Sequence, residues 1–131
     1  MLTIMYDIQY NKTKKEGCDE MEEKDNLLDS YIQELRRGTL VLSVLSQLKE
    51  EEYGYTLATK LKDKGLEIEQ NTLYPLLRRL ESRNLLESIW KLEEARQRRY
   101  YKLSPEGLDM LKMLTDEWSK VVSITDKLLN E

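Results

Sequence analysis

The chain has 131 residues, 40% of them hydrophobic and 35% charged, with a formal net charge of −4. That length suits one domain with a modest core. No apolar run approaches the roughly 20 residues that span a bilayer, and the N-terminus lacks the basic stretch followed by a long apolar one that marks a secretory leader. Cys18 is the single cysteine, which excludes an internal disulfide and a thiol-rich metal site and points to a cytoplasmic protein.

Residues 1–25 are expected to form a flexible N-terminal segment. Within it, Lys14-Lys15-Glu16-Gly17 can be encoded by a purine-rich stretch of the ribosome-binding kind a few codons before Met21, so starts at Met1 and at Met21 both stay open. From Asn26 to about Lys49 the spacing predicts one helix, because Leu28, Tyr31, Leu35, Leu42 and Leu45 fall three, four or seven apart. Its second half, Leu40 to Leu48, is apolar on nearly every side, as in a helix buried all round or paired with another chain. Glu50-Glu51-Glu52 and then Gly54 end it. A short helix follows at about Tyr55–Lys64, with Leu57 and Leu61 inward and Gly65 as its stop. A third spans about Gln70–Arg83, with Leu73, Leu76, Leu77 and Leu80 as its inner face and Asn84 as end cap.

The period then changes to two. Leu86, Ser88 and Trp90 alternate with Glu87, Ile89 and Lys91, and Arg99, Tyr101 and Leu103 alternate with Arg98, Tyr100 and Lys102. Two short strands joined by the polar stretch Glu93–Gln97 make a β-hairpin. Ser104 and Pro105 open a last helix, as N-cap and first helical residue, which runs to about Asn130. Three helices, a hairpin and a closing helix are the order of a winged helix-turn-helix, mainly α within the α+β class. Residues 26–103 would form the winged helix and 104–131 a C-terminal dimerisation helix.

Charge follows the same division. Residues 60–102 carry 11 basic against 7 acidic side chains, whereas residues 1–59 carry 7 against 12 and residues 103–131 carry 3 against 6. A basic centre between acidic flanks suits phosphate contact by one face. Gln70, Asn71, Thr72 and Tyr74 lie at the start of the third helix, where side chains reach base edges and the helix terminus attracts phosphate. Arg78 follows one turn beyond Tyr74 on the same face. Local capping by Thr72 and packing of Tyr74 on the fold are the competing readings. Pro75 removes one backbone donor, without consequence if the helix begins near Asn71 and with a slight kink if earlier. Arg96, Arg98 and Arg99 near the hairpin tip match phosphate or minor-groove contact, against the alternative of solvated charges near Glu93 and Glu94. Trp90, Tyr100 and Tyr101 are expected in the hairpin's packing, with stacking on bases as the competing reading.

The last helix carries Leu111, Leu114, Trp118, Val121, Thr125 and Leu128 in heptad spacing, widened by Leu108, Val122 and Leu129. A stripe that wide implies a partner helix, and the apolar first helix offers a matching excess. Leu111, Leu114, Trp118, Val121 and Leu128 are the expected dimer contacts.

Four segments resemble the PadR-type transcriptional regulators in order and spacing: Leu35-Arg36-Arg37-Gly38-Thr39-Leu40, Tyr53-Gly54-Tyr55-Thr56-Leu57, Asn71-Thr72-Leu73-Tyr74-Pro75-Leu76-Leu77-Arg78-Arg79-Leu80-Glu81 and Arg98-Arg99-Tyr100-Tyr101-Lys102-Leu103-Ser104-Pro105-Glu106-Gly107. The resemblance covers about residues 27–130 and is similar to the short branch of that family, with one closing helix. It implies a homodimeric, ligand-responsive repressor on a pseudo-palindromic DNA operator, with first and last helices forming the dimer interface. The family usually has glycine where Asn71 and Asn84 stand, and asparagine is the next most tolerant residue for positive φ. Glu117-Trp118-Ser119-Lys120-Val121 resembles the multidrug-responsive members, which implies a planar aromatic or cationic effector at Trp118 and Val122, with Asp116 and Glu117 adding charge. A Trp118 that merely fills the interface is the other reading. The competing function is a winged-helix module that binds proteins without DNA. An enzyme is disfavoured, since the chain has no histidine, glycine-rich phosphate loop or activated Ser or Cys constellation; the same lack of histidine and cysteine clusters disfavours a metal sensor, and no cofactor is expected.

Overall fold

The structure, a computed structural model, describes residues 20–131. The expectations for the first 19 residues, including the choice between Met1 and Met21, fall outside the described residues. The chain divides into two units, residues 1–39 and residues 40–131.

The first unit holds α1 (Glu20–Arg37), which starts six residues before the expected Asn26. Glu20, Glu22 and Glu23 lie in its first turn and Arg36 and Arg37 in its last, each sign at the helix end it stabilises. Leu27, Leu28, Tyr31 and Leu35 form an exposed apolar stripe along it. The helix expected to run unbroken from Asn26 to Lys49 is two helices. At Gly38-Thr39 the Thr39 amide and hydroxyl both donate to the Arg36 carbonyl, at 3.0 and 2.9 Å, and close α1. A glycine followed by a threonine that bonds backward disfavours helix continuation.

The second unit contains α2 (Leu40–Ser46), β1 (Glu52–Tyr53), α3 (Gly54–Asp63), α4 (Gln70–Ser82), β2 (Leu86–Glu93), β3 (Arg96–Leu103) and α5 (Pro105–Leu129). Its core is built mainly of leucine: Val44, Leu45 and Leu48 meet Leu57 and Leu61 of α3, all four inner leucines of α4, Leu86, Tyr101 and Leu103 of the strands, and Leu111 of α5. The apolar run of α2 is therefore largely absorbed within the protomer, with Leu40, Val41 and Leu42 half-buried against that core.

Local chemistry sets the helix ends. Gly65, at φ 97°, closes α3 while the Leu66 amide donates to the Leu61 carbonyl at 2.8 Å. Asn84, at φ 64°, closes α4 in the same way, with the Leu85 amide on the Leu80 carbonyl at 3.0 Å and the Asn84 amide on Glu81 at 2.9 Å. Asn71 takes no positive φ: it lies inside α4, where its helical backbone does not need glycine. Because α4 begins at Gln70, Pro75 removes the amide that would have donated to the Asn71 carbonyl. Ser104 caps α5 by accepting from the Gly107 amide at 2.9 Å, and its hydroxyl donates to the Asn84 carbonyl at 2.6 Å. That double use ties the start of α5 to the end of α4.

The sheet differs from a simple hairpin in two respects. Its strands extend to Glu93 and Arg96, so the polar stretch Glu93–Gln97 narrows to the two-residue turn Glu94-Ala95, with φ of 50° and 61°. Two positive φ angles are what a tight antiparallel connection requires. A third strand, β1, pairs antiparallel to β3 through Glu52↔Tyr101 and Tyr53↔Tyr100, giving the order β1-β3-β2.

Candidate nucleic-acid interface

Alternation on a twisted hairpin sorts the strand side chains into two sets. The register pairs Leu86 with Leu103, Ser88 with Tyr101 and Trp90 with Arg99 on one face, and Ile89 with Tyr100 and Lys91 with Arg98 on the other. Leu86, Tyr101 and Leu103 are buried, but Trp90, expected in the packing, is exposed at the outer end of the same face, beyond the reach of the core.

Helix α4 turns its leucines inward and leaves Gln70, Asn71, Thr72, Tyr74 and Arg78 exposed on the remaining surface. Gln70, Tyr74 and Arg78 of α4 line a groove of about 750 Å³ together with Tyr53, Gly54 and Tyr55 at the start of α3 and with Trp90, Arg96–Arg99 and Tyr101 of the wing. Asn71 and Thr72 lie beside this groove, outside its lining. Tyr74 is 38% exposed because its ring rests on Gly54, where a side-chain Cβ would stand only 2.3–2.6 Å from ring atoms. That close approach leaves room for a Cβ only if the Tyr74 ring moves. Thr56 orders the same corner, its hydroxyl accepting from the Tyr53 amide at 3.2 Å and donating to the Tyr53 carbonyl at 3.0 Å.

The three wing arginines are in different situations. Arg96 is exposed at the strand end and makes no ion pair among the described residues. Arg98 donates to the Tyr53 hydroxyl at 3.2 Å, pairs with Glu93 at 3.4 Å, and lies 4.7 Å from the Tyr53 ring centre. Glu93 also accepts from the Tyr100 hydroxyl at 2.8 Å, a hydrogen bond that pushes the Tyr100 phenol up, helped by burial. Arg99 pairs with Glu81 of α4 at 2.5 Å and donates through Nε to Ser88 at 3.1 Å. At the far side of β1, burial pushes the Glu52 carboxyl up, but hydrogen bonds from Lys60 and Thr56 and the Lys60 charge outweigh it and hold Glu52 below the usual carboxylate range.

Sequence reasoning named the cations and Glu93 near them but missed Tyr53, Glu81 and Ser88, which hold Arg98 and Arg99. Nothing in local periodicity marks a partner 18 or 45 residues away, the separations of Glu81–Arg99 and Tyr53–Arg98.

On α5, Leu111 contributes to the core of its own protomer and Leu114 is half-buried against it. Beyond them every residue is exposed, including Trp118, Val121, Val122, Ile124, Leu128 and Leu129. Among the described residues no helix is long and apolar enough to cross a membrane.

Comparison with known proteins agrees with this architecture. The profile of the transcriptional regulator PadR-like family matches residues 41–113. A transcriptional regulator of Mycobacterium tuberculosis is 34% identical over 77 residues, 58% of this chain and 72% of that protein. The crystal structure of a PadR family transcriptional regulator from Eggerthella lenta superposes with a TM-score of 0.80 at 47% identity, covering 82% of this chain and 96% of that one. A PadR-like transcriptional regulator from Bacillus cereus gives a TM-score of 0.67 at 31% identity, covering 75% and 98%. With the family match spanning the helix-turn-helix, the wing and the start of α5, this chain belongs to the PadR-like family, whose members are transcriptional regulators and not enzymes.

Proposed function

We propose that the protein is a homodimeric repressor that reads a pseudo-palindromic DNA operator, with the start of α4 in the major groove and the wing on the adjoining backbone. The observation that carries this reading is the single groove between Gln70, Tyr74 and Arg78 of α4 and the arginine-bearing strand of the wing. Gln70, Asn71, Thr72 and Tyr74 supply donors and acceptors for base edges, Arg78 continues that surface, and Arg96 and Arg98 supply charge for phosphates. Repression itself rests on the family resemblance.

Dimerisation is supported by the apolar stripe Trp118, Val121 and Leu128 on the exposed half of α5, continued inward by Leu114 and Leu111. A helix whose apolar side faces solvent in the single chain is suited to burial against a second copy. Within the same proposal a planar aromatic effector stacks on Trp118 and Val122; titration of planar cationic dyes should quench tryptophan emission, and Trp118→Ala should abolish saturable quenching.

The deciding experiment selects duplexes from a randomised pool with the full chain, then measures stoichiometry and salt dependence by gel shift. Two chains per duplex on half-sites about 10 bp apart are expected, with affinity falling steeply with salt. Enrichment of no duplex would overturn the proposal in favour of a protein-binding module.

A further inference from the structure

Arg99 lies on the wing face turned toward α4, and its guanidinium takes part in a closed arrangement. Its Nη2 donates to Oε1 of Glu81 at 2.5 Å, its Nε donates to the Ser88 hydroxyl at 3.1 Å, and that hydroxyl donates to the other Glu81 oxygen. The three residues thus form a triangle in which two nitrogens of the guanidinium and both carboxylate oxygens are engaged. Trp90, directly opposite Arg99 in the register, and Tyr101, two residues along the strand, place their ring centres 5.6 and 5.5 Å from the guanidinium carbon. The side chains of Arg99 and Glu81 are 34% and 26% exposed, so aromatic surface shields the pair on part of its perimeter.

This arrangement distinguishes Arg99 from its neighbours. Arg96 faces solvent, whereas Arg99 already commits its Nε and Nη2 to Ser88 and Glu81, so a phosphate would compete with both for that side of the guanidinium. Glu81 stands in the last turn of α4, seven residues beyond Tyr74, so about 10 Å of rigid helix separates the triangle from the base-reading end. A rigid helix transmits a change of angle at one end as a displacement at the other.

We infer that Arg99 is a positioning residue: the Glu81–Arg99–Ser88 triangle fixes the wing against the end of the recognition helix and so sets the spacing at which both engage one DNA duplex. Planar fork geometry is what this role needs, and lysine cannot reproduce it. The inference rests on the DNA-binding reading proposed above and assigns Arg99 a role within it that does not depend on a phosphate contact.

The test uses the full chain, a duplex enriched from a randomised pool by the unmodified protein, and a scrambled duplex of equal length. The ratio of the two dissociation constants, the salt slope and the thermal midpoint are measured for each variant. Glu81→Gln and Arg99→Lys should each lower the ratio about tenfold, the size of one mismatched base pair, with the salt slope unchanged. The single reversals Glu81→Arg and Arg99→Glu should lose selectivity, and the double reversal should regain it. An Arg99 that contacts phosphate produces the opposite pattern: Glu81→Gln tightens binding to both duplexes, Arg99→Lys changes neither, and Glu81→Arg fails to rescue Arg99→Glu. That pattern overturns the inference. So does an equal loss at both duplexes that tracks the thermal midpoint, which marks a role in folding alone. An unmodified protein that enriches no duplex removes the DNA-binding reading, and this inference with it.

Discussion

Gly54 opens α3 directly beneath the Tyr74 ring, which makes Gly54→Ala a selective probe of the recognition helix. A Cβ at residue 54 would stand 2.3 Å from Cε1 and 2.6 Å from both Cζ and the hydroxyl oxygen of Tyr74, against 3.4 Å or more in ordinary contact. The ring must therefore move by at least 1.1 Å, the difference between 3.4 and 2.3 Å. It is the far end of a side chain and 38% exposed, so it can swing outward without disturbing the core. Alanine in place of glycine also favours helix by up to about 1 kcal/mol in a helix interior, less at a first turn. The two effects oppose each other, and the thermal midpoint should change little. DNA affinity should not be spared, because Tyr74 leaves its place beside Gln70 and Arg78. Loss of one well-placed contact costs about 1–2 kcal/mol, roughly 5- to 30-fold in Kd. The assay is fluorescence anisotropy on a selected duplex, run as a double-mutant cycle with Tyr74→Ala. Gly54→Ala should weaken the native protein and have no further effect in the Tyr74→Ala background. Unchanged affinity in the single variant, or an undiminished loss in the double, would refute the reasoning.

Gly107→Ala should behave in the opposite sense, since its Cβ would lie 1.9 Å from the Leu85 carbonyl oxygen, a backbone atom. About 2–4 kcal/mol of stability should be lost, seen as a lower urea midpoint. Ala95 sits at φ 61° in the wing turn, so Ala95→Gly should stabilise the fold by about 1 kcal/mol; a lowered thermal midpoint would contradict this. Arg96→Ala should reduce the slope of log Kd against log salt by about one unit, and Arg98→Ala by less, because Glu93 and Tyr53 compete for that guanidinium. Glu52 is held below the ordinary carboxylate value of 4.5, so its contribution is present above that pH and lost as pH falls through its lowered folded value. Glu52→Gln should accordingly flatten the acid-side fall of the urea midpoint, and an unaltered pH profile would remove Glu52 from the account.

Elements specified by adjacent residues were legible in the sequence. The inward leucines of α3 and α4 follow from helical period, and Gly65, Asn84 and Ser104-Pro105 mark helix ends through backbone preferences that act within a few residues. The two faces of the wing follow from strand alternation, and the register observed keeps Leu86, Ser88 and Trp90 together as expected. Tertiary structure decided the rest. Glu52–Tyr53 is too short to have a period of its own and becomes a strand only by pairing with β3. The single apolar period of α5 contains both Leu111, within the core, and Trp118, outside it. Periodicity says which side of a helix is apolar, but only the packed neighbours determine where along its length that side stops being covered. Likewise the sequence shows three wing arginines of one charge and cannot distinguish them. Strand register and the approach of α4 leave Arg96 in solvent, tie Arg98 to Tyr53 and Glu93, and close Arg99 onto Glu81. A guanidinium's role depends on which acids come within about 3 Å of it, and that distance is a property of the folded chain.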